Sequence, residues 1–436
     1  MIRKITYAGL LLALSLKTAC AQQTVEMSID QLFDRVENYS KLLNTQKTGI
    51  EIADRGIETA RSQRLPDVNT ALSVSFIGNA LLTDRDFSNA HGLTSPHLGN
   101  SFTLDAQQVI YAGGAIDAGI KLAELGKRQA QVAVKQARQQ ARFAALGQYL
   151  DLYKVDNRMK VYEQNIKLTR QLIADIKEKE KQGMALKNDV TRYELQMEQL
   201  NLGLTQLKNT RSILNHQLCN TLGMTQQQTI MPDTTIAEKL YTQDGEAHWQ
   251  QLAALSSPAI EQSALAIDMA RQKERIARSE MMPKVAVVAN NSFNGPITFE
   301  LPPIDKNLDI WYVGVGVSYN ISSLFKSNKR LKQSYTETRQ AEQAKALEQE
   351  QIDNQVQQAY TQYQQTYVEL DTQRKSVELA AQNYNVMNAR YLSQLALVTD
   401  MVDASNLKLN AELQEVDARI NIVFAYYRMK FVAGEI

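Results

Sequence analysis

Two periodicities alternate along this chain, and they divide it before any single residue is considered. Stretches with apolar positions three and four apart read as helices over 28–64, 117–181 and 187–222, and again over 256–281, 326–393 and 398–433. The approach to Pro66 ends the first of these, and Gly223 ends the third. The stretch 117–181 holds no proline or strong breaker and predicts a rod of roughly 97 Å at 1.5 Å per residue. Val190, Tyr193, Met197, Leu200, Leu204, Leu207, Leu214 and Leu218 form a coiled-coil seam that is broken where Arg211 takes an apolar slot. Leu409, Leu413, Val416, Ile420, Val423 and Tyr427 form its counterpart. Two short helices placed end to end match one long one, so each half predicts one continuous rod beside one spliced rod.

Between the helices the period drops to two. Val68, Thr70, Leu72, Val74 and Phe76 alternate with Asn69, Ala71, Ser73 and Ser75, and Phe102, Leu104 and Ala106 alternate with Thr103, Asp105 and Gln107. Later, Val285, Val287 and Ala289 stand against Ala286, Val288 and Asn290. Trp311, Val313, Val315, Val317, Tyr319 and Ile321 stand against Tyr312, Gly314, Gly316, Ser318 and Asn320. Such segments suit a membrane barrel, apolar toward lipid and small or polar toward a lumen, and they equally suit a soluble sandwich. Three observations favour lipid: the strands come as two hairpins set between long helices, Tyr111, Phe325, Trp311 and Tyr312 lie near strand ends, and the chain opens with an export signal. Four strands cannot close a barrel, and open edges in hydrocarbon leave backbone groups unpaired, so the barrel must be shared between chains.

The plan occurs twice. Arg61-Ser62-Gln63-Arg64-Leu65-Pro66-Asp67-Val68 returns as Arg278-Ser279-Glu280-Met281-Met282-Pro283-Lys284-Val285, offset by 217. Ile110-Tyr111 pairs with Leu324-Phe325 at 214, and Gly183-Met184-Ala185-Leu186-x-x-Asp189 with Gln394-Leu395-Ala396-Leu397-x-x-Asp400 at 211. Gly223 finds Gly434 at 211 as well. Anchors in one order with a drift of six define two copies of one structural unit.

Met1 to Ala21 reads as a secretory signal: Arg3 and Lys4, an apolar stretch from Ala8 to Leu16, then Ala19-Cys20-Ala21. Thr18-Ala19-Cys20 also resembles a lipoprotein signal in which Cys20 would be acylated, although Lys17 stands where such signals want leucine. Removal of 1–21 leaves 45 basic against 47 acidic residues, which gives no footprint for nucleic acid. Cys219 then has no disulfide partner and is expected as a buried thiol. No run of eighteen apolar residues follows the signal, so a helical anchor is not predicted.

With its paired Arg-Ser-x-x-Leu/Met-Pro-x-Val approaches to the first strand of each half, the chain resembles the TolC family of outer-membrane efflux and secretion channels. Val109-Ile110-Tyr111-Ala112-Gly113-Gly114, the turn from Lys181 to Val190 and the chain end at Gly434 add to the likeness, which spans the mature length. The resemblance implies mixed α and transmembrane β structure in a homotrimer: a twelve-stranded barrel in outer-membrane lipid above a long α-helical coiled-coil periplasmic tunnel. It implies a periplasmic adaptor and an inner-membrane transporter as partners, and no cofactor. The expected segments are the signal 1–21, a short helix and N-terminal segment 22–64, a barrel hairpin 65–112, tunnel helices 113–223, an equatorial segment 224–255, a short helix 256–282, a second hairpin 283–325 and tunnel helices 326–436.

No catalytic constellation is visible, so no enzyme is expected. His91, His97, His216 and His248 are isolated, with His91 and His97 read into a loop between the first two strands. Gly113-Gly114 has no following lysine and reads as a tight turn. The functional residues are placed in the turns 182–189 and 393–400. Asp189, Asp400 and Asp403 stand in first turns of helices, where carboxylates cap free amides and complement the dipole. In the family, positions matched by Asp400 and Asp403 line the narrow periplasmic mouth, and three chains would supply six carboxylates that concentrate cations. Tyr391 and Asp189 match positions that hold the mouth closed. Ala396 stands where a basic gate residue is expected, and Gln394 where a turn glycine is expected. Gly183, Met184, Ala185, Leu186, Leu395 and Ala396 form an apolar rim for an adaptor. The competing reading is a periplasmic coiled-coil scaffold whose strands form a soluble domain.

Overall fold

The computed structural model describes residues 23–225, 227–239, 241 and 244–436, so the signal segment and Cys20 lie outside the described residues. The chain divides into two compact units, one formed by residues up to 46 with 133–259 and 349–436, the other by 47–132 and 260–348.

The elements run β1 (Gln23–Met27), α1 (Ile29–Tyr39), α2 (Lys41–Ser62), β2 (Asp67–Phe76), β3 (Ala80–Leu82), β4 (His91–Leu93), β5 (Leu98–Tyr111), α3 (Ala115–Lys181) and α4 (Lys187–Thr221). They continue with β6 (Gln228–Pro232), a 3₁₀ turn (Thr234–Glu238), α5 (Glu246–Ser256), α6 (Pro258–Ser279), β7 (Lys284–Gly295), β8 (Leu308–Ser318), α7 (Ser323–Leu392) and α8 (Val398–Val432). The uninterrupted helices α3 and α7 hold 67 and 70 residues.

The helix expected over 28–64 is two helices. Ser40 leaves the helical region at φ −63°, ψ 119°, while its N–H still donates to the Val36 carbonyl at 2.9 Å. Ser257, 217 residues on, makes the same break at φ −65°, ψ 119°, with its N–H on Ala253 at 3.0 Å. Residues 246–255, expected in the equatorial segment 224–255, are helical as part of Glu246–Ser256, which is the second copy of α1.

Within the first unit, β1 and β6 pair in parallel from Gln23–Gln228 to Met27–Pro232. Leu32, Val36, Tyr149, Leu218, Ile230 and Val423 form the centre of its core. The Tyr149 hydroxyl donates to the Met27 carbonyl at 2.6 Å and accepts from the Asp233 N–H at 2.9 Å, so a buried phenol ties the paired strands to α3. Arg211, in its apolar slot, donates Nε to Asp156 at 2.6 Å and Nη2 to the Ile230 carbonyl at 3.2 Å. Cys219 is buried, its Sγ 3.5 Å from the Gln228 carbonyl, and burial pushes its thiol up.

The second unit holds one antiparallel sheet in the order β2-β5-β7-β8, in which the hairpin of each half joins the other along β5 and β7. Registers Leu72–Phe102, Phe102–Phe293, Ala106–Ala289 and Ala289–Val313 put the apolar residues on one face. That face also carries Thr70, Asn100, Gln108, Asn291 and Asp309, and of these Asn291 Nδ2 donates to Asp309 Oδ1 at 2.7 Å. The opposite face carries Asn69, Ser73, Asp105 and Asn290, with Asn290 on Asp105 at 2.6 Å. Every residue of β2 is exposed, Phe76 by 81% and Leu72 by 74%, and Trp311, Val313, Val315 and Val317 on β8 are equally open. A soluble sandwich would cover this face with a second sheet. Here β2 and β8 are free edges of a sheet with a bare apolar side.

A short hairpin, β3 with β4, extends beyond the sheet. It places His91 in a strand, not in the open loop expected for it, while the His97 ring stacks on Phe76 at 5.2 Å. No helix is long and apolar enough to cross a membrane among the described residues.

Candidate functional site

The two turns that reverse the long helices have the same construction. After α3, Gly183 takes φ +73°, the Met184 N–H reaches back to the Lys179 carbonyl at 2.8 Å, and the Gly183 N–H reaches Glu180 at 2.9 Å. This pair of bonds satisfies the last carbonyls of a helix through a left-handed residue. After α7 the same bonds run from Leu395 to Arg390 at 2.8 Å and from Gln394 to Tyr391 at 3.0 Å. There the left-handed position is held by Gln394 at φ +63°. A side chain in this region is disfavoured by roughly 1–2 kcal/mol.

Each returning helix is then capped by its third residue. Asp189 Oδ2 accepts from the Leu186 N–H at 3.2 Å, and Asp400 Oδ2 accepts from the Leu397 N–H at 3.1 Å. The local role of both carboxylates is therefore to satisfy a free amide. Asp403 lies one turn further on, is exposed, and stands where the first copy has Arg192. The duplication is broken at this position, and the second turn alone carries two acids.

Beneath the turns, Leu172, Ile176, Val190, Tyr193, Tyr391, Val398 and Met401 pack together from α3, α4, α7 and α8. Tyr391 is 8% exposed, and burial first, then the Asp189 carboxylate, holds its phenol above the ordinary range. Burial drives Tyr193 the same way, and its hydroxyl has no hydrogen-bond partner among the described residues. A cleft of about 230 Å³ opens between the turns, lined by Lys179, Met184, Leu186, Asp189, Tyr391 and Gln394. Tyr391 and Asp189 thus share one cleft. Around it Met184, Leu186, Leu395 and Leu397 are exposed, with Gly183 beside them and Ala185 and Ala396 half-buried.

Lys179 is the residue that sequence reasoning missed. Its Nζ donates to the Leu392 carbonyl at 3.2 Å and lies 6.0 Å from the Tyr391 ring centre. A second bond crosses in the opposite sense, from Gln394 Nε2 to the Met184 carbonyl at 3.5 Å. Ala396 removes the expected basic group, and a cation on the other hairpin reaches the same turn. Further along, Gln196 donates to Asn406 at 2.7 Å, Asn165 to Glu412 at 2.9 Å, and Arg158 Nε to Asp417 at 2.9 Å. The two hairpins are tied at intervals by polar groups.

No group of histidine, cysteine, aspartate and glutamate suited to a metal ion occurs among the described residues. No curated protein matches the chain by sequence. Residues 249–435 match the sequence model of the family described as Outer membrane efflux protein. By fold the chain is similar to the outer membrane protein VceC of Vibrio cholerae, with a TM-score of 0.73 at 15% identity over 93% of this chain and 96% of that one. It is similar to the CmeC outer membrane channel of Campylobacter jejuni, with 0.70 at 12% identity over 93% and 85%. The open-state MtrE outer membrane channel of Neisseria gonorrhoeae gives 0.71 at 13% identity over 93% and 88%. Residues 249–435 thus carry the sequence pattern of the outer membrane efflux protein family, and the chain as a whole has the fold of the outer-membrane channels.

Proposed function

We propose that the protein is a passive outer-membrane export duct that extends into the periplasm. It would carry cargo handed over by an inner-membrane transporter and a periplasmic adaptor, in a tripartite pump or a type I secretion system. The observation that supports this reading best is the four-stranded sheet with free edges at β2 and β8 and an uncovered apolar face. Hydrocarbon accepts such a face, and further copies of the sheet would satisfy the edges. Three copies give twelve strands. No residue of the chain is given a catalytic role.

In this reading the turns at 182–189 and 393–400 form the periplasmic mouth. Asp400 and Asp403, repeated in three copies, favour cations at the constriction, with Asp403 free of any capping duty. Tyr391, Asp189 and Lys179 hold the two hairpins together in the closed state. The exposed Met184, Leu186 and Leu395, with Gly183, Ala185 and Ala396, form the rim on which an adaptor docks. Charged substitutions at Met184 and Leu186 should abolish export while trimers remain in the membrane.

Reconstitution in planar bilayers tests the proposal. Discrete, cation-selective conductances that multivalent cations block are expected. A protein that leaves membranes on carbonate extraction and gives no conductance would be a periplasmic scaffold instead.

A further inference from the structure

Within the second unit, the two copies of the duplicated plan differ in charge where the sheet gives way to the helices. Over 273–283 and 323–333, which close α6 and open α7, seven cations stand against two acids, a net of +5. Shifts of 217 and 214 carry these stretches onto 56–66 and 109–119, which hold Arg61 and Arg64 against Glu58 and Asp117, a net of zero. The excess runs against local helix chemistry. α3 has an acid in its first turn, Asp117, paired with Arg64 at 2.6 Å. α7 has none there, and carries Lys326, Lys329, Arg330 and Lys332 within its first three turns. Cations at this end of a helix oppose its dipole, which points to a partner outside the helix that favours them.

The chain itself answers few of these charges. Arg330 pairs with Glu280, and Arg278 donates Nη2 to the Tyr335 hydroxyl at 2.8 Å. Lys273, Arg275, Lys326, Lys329 and Lys332 are exposed and have no ion pair among the described residues. A cleft of about 230 Å³ opens between α6 and α7, with Lys273 on one wall and Arg330 on the other. Its acid, Glu337, is engaged by Gln333 Nε2 at 2.8 Å.

Apolar side chains lead directly into the basic group. After β8, Ile321, Leu324 and Phe325 are each more than half exposed, so the bare apolar side of the sheet continues into the start of α7. At 100° per residue, Phe325, Lys329 and Lys332 fall within about 60° of one another, on the side of α7 away from buried Leu331, Ser334 and Thr338. An apolar surface that ends in lysines is suited to a membrane border, where the aliphatic stems lie on the apolar side and the ammonium groups reach the headgroups.

We propose that the cations of α6 and α7 bind the phosphates of anionic phospholipids in the leaflet next to the helices. This rests on the channel reading above and adds a lipid preference, carried by the second half of each copy alone. A lysine or arginine near an anionic surface strengthens binding about fivefold.

Spin-labelled phosphatidylglycerol and phosphatidylcholine test it, with the full chain in phosphatidylcholine vesicles and the motionally restricted fraction read by electron paramagnetic resonance. The wild type should prefer phosphatidylglycerol about fivefold or more at low salt, and about 0.5 M salt should collapse that preference by screening exposed charges. The Lys326→Gln, Lys329→Gln, Lys332→Gln variant should fall to within about twofold of parity, while the corresponding Lys→Arg variant keeps the preference. Lys160→Gln, Lys167→Gln, Lys208→Gln, an equal loss of exposed charge further along α3 and α4, should also keep it. Equal restriction of both lipids by the wild type, or a preference that survives in the α7 glutamine variant, would overturn the proposal and leave the channel standing. No restricted fraction with either lipid would overturn both.

Discussion

Lys179, near the end of α3, donates its Nζ hydrogen to the main-chain carbonyl of Leu392, the last residue of α7, across 3.2 Å. A cation at this place meets the negative end of a helix and one of its unsatisfied carbonyls, a contact worth about 0.3–1 kcal/mol at an exposed site. It joins the two hairpins directly at the proposed mouth. Removing it as Lys179→Met should raise the open-channel conductance or open probability about 2- to 5-fold. Lys177 pairs with Glu194 at 2.7 Å within one hairpin, so Lys177→Met should change neither. Single-channel recording on both variants decides the matter, and equal behaviour would remove Lys179 from the gate.

Gln394 occupies a left-handed position that glycine fills in the first copy. Gln394→Gly should relieve about 1 kcal/mol of backbone strain and also delete the long bond to Met184. Hydrogen exchange should therefore slow about fivefold at the Gln394 and Leu395 amides. Faster exchange there would mean that the crossing bond outweighs the strain.

Tyr193 buries a hydroxyl that has no partner among the described residues. An unsatisfied buried hydroxyl costs on the order of 1–3 kcal/mol, so Tyr193→Phe should be neutral or stabilising. Thermal and denaturant unfolding of the two proteins would show it. A loss beyond about 1 kcal/mol would assign that hydroxyl a partner made only in the assembly.

Asp400 and Asp403 separate two effects that a double replacement mixes. Asp400→Ala removes the cap on Leu397, at a cost of about 1 kcal/mol to the start of α8. Asp403→Ala removes charge alone, so it should weaken cation selectivity and multivalent block with no loss of stability. The effect should be largest at low ionic strength, where screening is weakest. Unchanged selectivity in Asp403→Ala at low salt would exclude this residue from the constriction.

Much of this architecture is legible in the chain, and what is not has physical causes. The rods and strands followed from periodicity because each buries or presents one face over many residues. The breaks at Ser40 and Ser257 were hidden because serine is ordinary in helices and the apolar spacing continues across it; only their shared offset of 217 marks them. The junction of β5 with β7 joins residues nearly 190 apart, and alternation does not encode a partner. Asp189 and Asp400 were readable as caps because the bond is three residues long. Lys179 was not, because its acceptor is a backbone carbonyl on another helix, which no side-chain motif announces.

The sharing of one barrel among several copies is tested most directly by the mass of the purified, full-length protein in detergent, measured by light scattering with the detergent subtracted. The account predicts a carbonate-resistant membrane protein with three times the protomer mass. A protein that is monomeric and soluble in detergent-free buffer would contradict it.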